Sequence, residues 1–190
     1  WALTVALANF VAFVILVGKG RSRGRVLAAW FWLAAILLIG PVGLSRIDGI
    51  TVPFAILGSI WLVRRPFLAS VLLSIAVWMK VWPAAILAAG LIVVRRRLAL
   101  VWGAVAVSLA TVIPVVALGG APFVLGFVGD QTSRGIQMEA PVGGLYMILA
   151  SFYVPGSEVY YDGGVLTFQV TGPGVDPVIA IMTPLMLLVM

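Results

Sequence analysis

A chain of 190 residues that is 63% hydrophobic and only 9% charged, with a mean hydropathy of +1.21, lacks the polar side chains needed to cover a soluble domain, where about a quarter of residues are charged. The composition predicts an all-α polytopic integral membrane protein. With neither cysteine nor histidine, disulfides, thiolate or imidazole metal sites and the commonest general base are excluded, so acid–base chemistry falls to carboxylates, Lys or Tyr, with no metal and no cofactor expected.

The net charge of +6 gathers in short clusters at Lys19, Arg21, Arg23 and Arg25, at Arg64 and Arg65, and at Arg95, Arg96 and Arg97. Short basic loops stay on the cytoplasmic side, so this charge is a topology signal and no nucleic-acid partner is expected. Placing all three clusters inside predicts spans at 2–17, 26–40 and 50–63, with an outer turn near Gly40-Pro41-Val42-Gly43. Between Arg65 and Arg95 the chain must leave the inner face and return within about 29 residues, so each arm reaches roughly 21 Å, short of a hydrocarbon core of about 30 Å. A short hairpin, 67–79 and 83–94, follows, its tip at Lys80-Val81-Trp82-Pro83. A further span at 98–118 leads to a long outer loop at 119–176, and a last span covers 177–190.

Within that loop the apolar stretch Leu145–Val154, opened by Pro141, is too short to cross and reads as an interfacial helix. The segment "PGSEVYYDGGVLTFQVTGPGVDP" is rich in Gly and Pro and reads as loop or short strands with solvated carboxylates. All six carboxylates, Asp48, Asp130, Glu139, Glu158, Asp162 and Asp176, land on the outer side, although none was used to build the arrangement. The chain starts in mid-helix and stops within an apolar run, and is expected to be a piece of a longer protein.

Two places carry candidate chemistry. Lys80 stands between Trp78 and Trp82 at the hairpin tip. It is either a snorkelling anchor within an aromatic belt or a cation placed to hold a phosphate as a point charge. In the loop, Asp130, Gln131, Arg134, Gln137 and Glu139 crowd together. Arg134 can grip a phosphate bidentately, and Gln137 and Glu139 can line a sugar site; the alternative is a solvated loop with a local ion pair and a helix cap. Asp48 is either a polar lining residue of the same cavity or a helix cap.

The Lys-x-x-Pro hairpin end, the arginine run and further helix that follow it, and the outer "RGIQMEAPV" at Arg134 to Val142 resemble the polyprenyl-phosphate-mannose-dependent mannosyltransferases of actinobacteria, in glycosyltransferase family 87 of the GT-C fold. The resemblance covers roughly residues 40–150. It implies a GT-C-like helical bundle with a short hairpin and a long outer loop, multi-pass in the plasma membrane with its active face outside. It also implies inverting transfer of a mannosyl or arabinosyl unit from a polyprenyl-phosphate sugar donor to a lipid or glycan acceptor. By position, Lys80 and Arg134 hold the donor phosphate, and Gln137, Glu139 and Asp48 line the substrates. The family's catalytic Asp belongs to an outer loop expected upstream of Trp1, so the base is unassigned, and where relatives carry a Gly-Gln pair this chain has Arg46-Ile47-Asp48-Gly49.

A rival class, a transporter or flippase of lipid-linked sugar, would use the same cation without chemistry, but it is expected to show repeated halves with broken helices, and no repeat is visible. The charge arrangement makes a direct prediction: a cysteine introduced at Gly129 reacts with an impermeant thiol reagent added to intact cells, while one at Ser22 reacts only after permeabilisation. The reverse labelling pattern would invert the topology.

Overall fold

Helix ends fall where glycine, proline or arginine interrupts an apolar run. The protein, seen in a computed structural model, is described over residues 1–124 and 135–189. Its chain divides into two compact units, Trp1–Pro114 and Val115–Met190. The first unit begins with α1 (Ala2–Val17), α2 (Arg23–Ile39), α3 (Pro41–Ser45) and α4 (Asp48–Trp61), followed by α5 (Pro66–Met79), α6 (Ala84–Val93) and α7 (Arg97–Ala117), which runs on past Pro114. Gly18 and Gly40 close α1 and α2 with φ near +60°, a backbone open to glycine. Pro66 opens α5, where its missing N–H has no intrahelical partner to lose.

Among the described residues α7, with 21 residues, is the helix long and apolar enough to cross a membrane; Ala2–Val17, Asp48–Trp61, Pro66–Met79 and Ala84–Val93 are apolar but shorter. The two arms on either side of Lys80 have 14 and 10 residues.

α4 and α5 form an antiparallel pair whose seam depends on Gly58. A Cβ there would lie 2.6 Å from Leu73 Cγ and 3.2 Å from the Ala69 carbonyl oxygen, so the two backbones approach as closely as small residues permit. Ala69, Leu73 and Ala76 of α5 are fully buried. A polar ladder ties α5 to α7. The Ser70 hydroxyl donates to the Leu100 carbonyl at 2.5 Å, and a Cβ at Gly103 would sit 2.7 Å from Ser70 Cβ. Higher up, Trp78 Nε1 donates to Ser108 Oγ at 3.2 Å.

The basic loop at residues 19–25 also closes a helix. Arg25 reaches back over Gly18, its Nε donating to the Leu16 carbonyl at 2.7 Å and its Nη2 to the Ile15 carbonyl. The last turn of a helix leaves carbonyls without intrahelical donors, and a guanidinium there satisfies two of them while matching the negative end of the dipole.

In the second unit an apolar sheet face builds the core. β1 (Ile136–Gln137), α8 (Gly143–Ser151), β2 (Glu158–Asp162), β3 (Thr167–Thr171) and α9 (Val175–Val189) follow a 3₁₀ turn at Ala121–Phe123. The strands are antiparallel in the order β1-β3-β2, with Ile136 opposite Val170 and Gln137 opposite Gln169. Side chains alternate along a strand, so Ile136 and Val170 share one face, where they pack with Tyr146 of α8 and Val175, Val178 and Ile179 of α9. The protein is therefore mostly helical but not all-α: part of the segment read as outer loop is a sheet. Its carboxylates also differ from the expectation that all are merely solvated. Asp162 accepts from Gln169 Nε2 at 2.9 Å and from the Gly164 N–H at 2.8 Å, while Glu158 and Asp176 are exposed.

Replacing Gly58 by Ala is expected to destabilise the first unit by about 1–3 kcal/mol, the usual range for overpacking a tight seam. The double variant with Leu73→Ala is expected to lose less than the sum of the two single losses, because the smaller side chain relieves the clash. Thermal unfolding in detergent of the two single variants and the double variant measures the coupling, and strictly additive losses would mean that the seam does not run through this contact.

Candidate functional site

The end of α5 is set by its sequence. Pro83, the N-cap of α6 with φ −66°, disfavours helix at the residue before it, and the chain leaves α5 at Lys80 in an extended conformation, φ −158° and ψ 139°. The Lys80 N–H still closes the last turn on the Ala76 carbonyl at 2.8 Å. Asp48 opens α4 at the same end of the antiparallel pair. The two residues lie at equal sequence distance on either side of Arg64 in the connecting turn, so two antiparallel helices of matching length carry them to one level. Their side chains meet: Lys80 Nζ donates to Asp48 Oδ2 at 2.5 Å, with the side chains 44% and 36% exposed.

Ion pairs this exposed contribute roughly 0–1 kcal/mol. The pair therefore does little for stability, and its effect is on orientation. An ammonium has three donors; one goes to Asp48, leaving two for a ligand that approaches from the open side.

Asp48 is held in place by its neighbour. A Cβ at Gly49 would lie 2.2 Å from the Gly43 carbonyl oxygen and 2.9 Å from Val5 Cγ1, so glycine lets α3 and α1 close against the start of α4. Pro53, buried inside α4, removes the N–H that would have bonded the Gly49 carbonyl. Asn9 of α1 supplies the missing donor, its Nδ2 lying 2.7 Å from the Gly49 oxygen and 2.8 Å from its own Val5 carbonyl.

Two sequence readings change here. Asp48 is no helix cap: the N-cap of α4 is Ile47, with no side-chain cap bond, and the carboxylate, though well placed for the helix dipole, goes to Lys80. Trp78 is not simply an interfacial belt residue, since its indole N–H bonds Ser108 inside the first unit.

Of the loop candidates, Arg134 lies outside the described residues, as do Asp130 and Gln131. Gln137 and Glu139 belong to the second unit, Gln137 half-buried in β1 and Glu139 exposed. The "RGIQMEAPV" segment divides by role. A Cβ at Gly135 would lie 2.2 Å from Gln169 Oε1, Ile136 is a core residue, the Met138 N–H donates to the Phe168 carbonyl at 3.1 Å, and Ala140 and Val142 pack on the core. These residues build the sheet. Glu139 alternates with them and is exposed.

Sequence reasoning missed the Lys80–Asp48 pair, Asn9 and Gln169. The first had a usable signal, the symmetry of the two charges about Arg64. The other two had none, because a single Asn or Gln in an apolar run does not say which backbone group it serves.

No curated protein and no solved structure matches the chain. A family model does: glycosyltransferase family 87, over residues 1–161. The chain belongs to glycosyltransferase family 87. It is thus a membrane glycosyltransferase, a transferase with a sugar donor and an acceptor. The family 87 match contains Asp48, Lys80, Gln137 and Glu139 and stops within β2, before Asp162 and Gln169.

The Asn9 clip can be tested by a cycle. Asn9→Leu leaves the Gly49 carbonyl without a donor and is expected to lower stability by about 1 kcal/mol, the scale of interhelical hydrogen bonds in membranes. In a Pro53→Ala background the backbone N–H returns, and the same replacement should have a smaller effect in thermal unfolding. An equal loss in both backgrounds would separate Asn9 from the proline.

Proposed function

We propose that this family 87 protein moves a mannosyl, or related pentosyl, unit from a polyprenyl phosphate donor to a lipid or glycan acceptor at the outer face of the plasma membrane, with inversion. The observation that carries the reading is an accessible ammonium, oriented by a carboxylate, at the end of a short helical hairpin in a family 87 chain.

In such a transfer the acceptor oxygen attacks the anomeric carbon, the bond from that carbon to the phosphate oxygen breaks, and the acceptor proton passes to a carboxylate base. Negative charge grows on the leaving phosphate. Fixed positive charge beside it stabilises that change most where water is sparse. Lys80 supplies this charge through its two remaining donors, and the resemblance assigns phosphate binding to Arg134 as well. Asp48 lines the substrate beside Lys80, and the resemblance assigns substrate lining to Gln137 and Glu139. A transporter of lipid-linked sugar would use the same cation without bond-breaking; membership of a glycosyltransferase family favours transfer.

The test is transfer of labelled mannose from a short-chain polyprenyl phosphate donor by the full-length gene product. A charge-assisted hydrogen bond contributes about 1.5–3 kcal/mol, so Lys80→Met is expected to lose roughly ten- to a hundredfold in kcat/KM. Lys80→Arg should keep part of the rate, since charge persists while the point-like geometry does not. Parental activity in a well-folded Lys80→Met protein would make Lys80 an anchor in the membrane interface and remove it from the site.

A further inference from the structure

We infer that Asp48 sets the charge selectivity of the phosphate site: it weakens the preference for a doubly charged phosphomonoester that a bare lysine would impose, and so favours exchange of product for donor. The inference rests on the donor reading above and extends it to a residue that does not itself touch the reacting atoms.

A polyprenyl-phosphate sugar is a phosphodiester with one negative charge. Transfer of the sugar leaves a phosphomonoester and releases one proton to the base, so charge is conserved when the monoester takes its second negative charge, as it does above its second pKa of about 6. Donor and product thus share the lipid and the phosphate and differ by one unit of charge at the atoms facing Lys80.

Coulomb energy is proportional to ligand charge. A lone ammonium attracts the product about twice as strongly as the donor, and an enzyme built on that cation alone would hold its product. With Asp48 Oδ2 2.5 Å from the ammonium, repulsion from the more distant carboxylate offsets part of the attraction at the phosphate, and both scale with ligand charge, so the difference between the ligands shrinks while a net attraction remains. The hydrogen-bonding capacity of the ammonium survives, because two donors are unused.

Several features show that the carboxylate is fixed where it acts. Gly49 is pinned between Gly43 and Val5, and its carbonyl is clamped by Asn9, so the first turn of α4 has little freedom to swing. The pair is also partly open, 44% and 36% exposed, which lets ligands reach it while screening keeps the effect modest. Asp48 is a positioning and charge-setting residue, and its removal should change which phosphate binds rather than whether the protein folds.

The experiment compares binding of a short-chain polyprenyl phosphate with binding of its methyl diester, two probes that differ by one charge and carry no sugar. The probes are titrated into the detergent-solubilised parent, Asp48→Asn, Asp48→Ser and Lys80→Met proteins at pH 8. In the parent the two affinities should be similar. In both Asp48 variants the monoester should gain roughly two- to fivefold over the diester, the span expected of an exposed charge pair. Transfer assays of these variants should show the inhibition constant of the polyprenyl phosphate product falling relative to the KM of the donor by a similar factor. In Lys80→Met both probes should weaken.

An unchanged monoester-to-diester ratio in folded Asp48→Asn and Asp48→Ser proteins would overturn the inference while leaving Lys80 as the phosphate ligand. Failure of the parent to bind either probe would overturn the donor reading, and the inference with it. The two failures are therefore distinct.

Discussion

The close approach of α4 and α5 at Gly58 is the constraint on which the site depends. With no Cβ to keep the backbones apart, Leu73 fills the groove and fixes the sliding register of the two helices. One residue of slip moves a helix by about 1.5 Å and turns its side chains by about 100°. Either change would part Asp48 from Lys80, whose contact is only 2.5 Å long. The charged pair is thus a consequence of packing at the middle of the hairpin, several turns from the charges themselves.

The same logic governs the scattered polar residues of the apolar unit. In a medium that offers few outside partners, each buried donor or acceptor needs one within the protein. Ser70 serves the Leu100 carbonyl, Trp78 serves Ser108, Asn9 serves the carbonyl orphaned by Pro53, and Arg25 serves the open end of α1. Each of these bonds also joins two helices. Polarity here specifies which helices meet, while the apolar residues around it supply most of the buried area. In the proposed transfer, function uses a pair left partly open, Lys80 and Asp48.

The second unit divides its polar residues differently. Register places Gln137 opposite Gln169, on the sheet face away from Ile136 and Val170. Gln169, buried at 2% exposure, is bonded to Asp162 and accepts from the Tyr160 hydroxyl at 3.3 Å. That network stands against Gly135 and supports the strand carrying Gln137. Part of its support lies beyond the family match, which ends at residue 161, so a short motif in this chain relies on a strand outside the matched region.

Composition and periodic charge were enough to determine that the protein belongs in a membrane, that its helices are interrupted near Gly18, Gly40, Pro66 and Pro83, and that Lys80 stands at a helix end. All of these are local properties: apolar run length, conformational limits of Gly and Pro, and the cost of charge in hydrocarbon. The short motifs around Lys80 and Arg134 also pointed to the family. What only the tertiary structure decided was partnership. Lys80 with Asp48, Asn9 with the Gly49 carbonyl, Arg25 with α1 and β1 with β3 are meetings of residues far apart in the chain or on different elements. They depend on helix register and strand order, which are set by the fit of side chains such as Leu73 against Gly58; of these meetings only that of Asp48 and Lys80, equally spaced about Arg64, left a trace in the sequence.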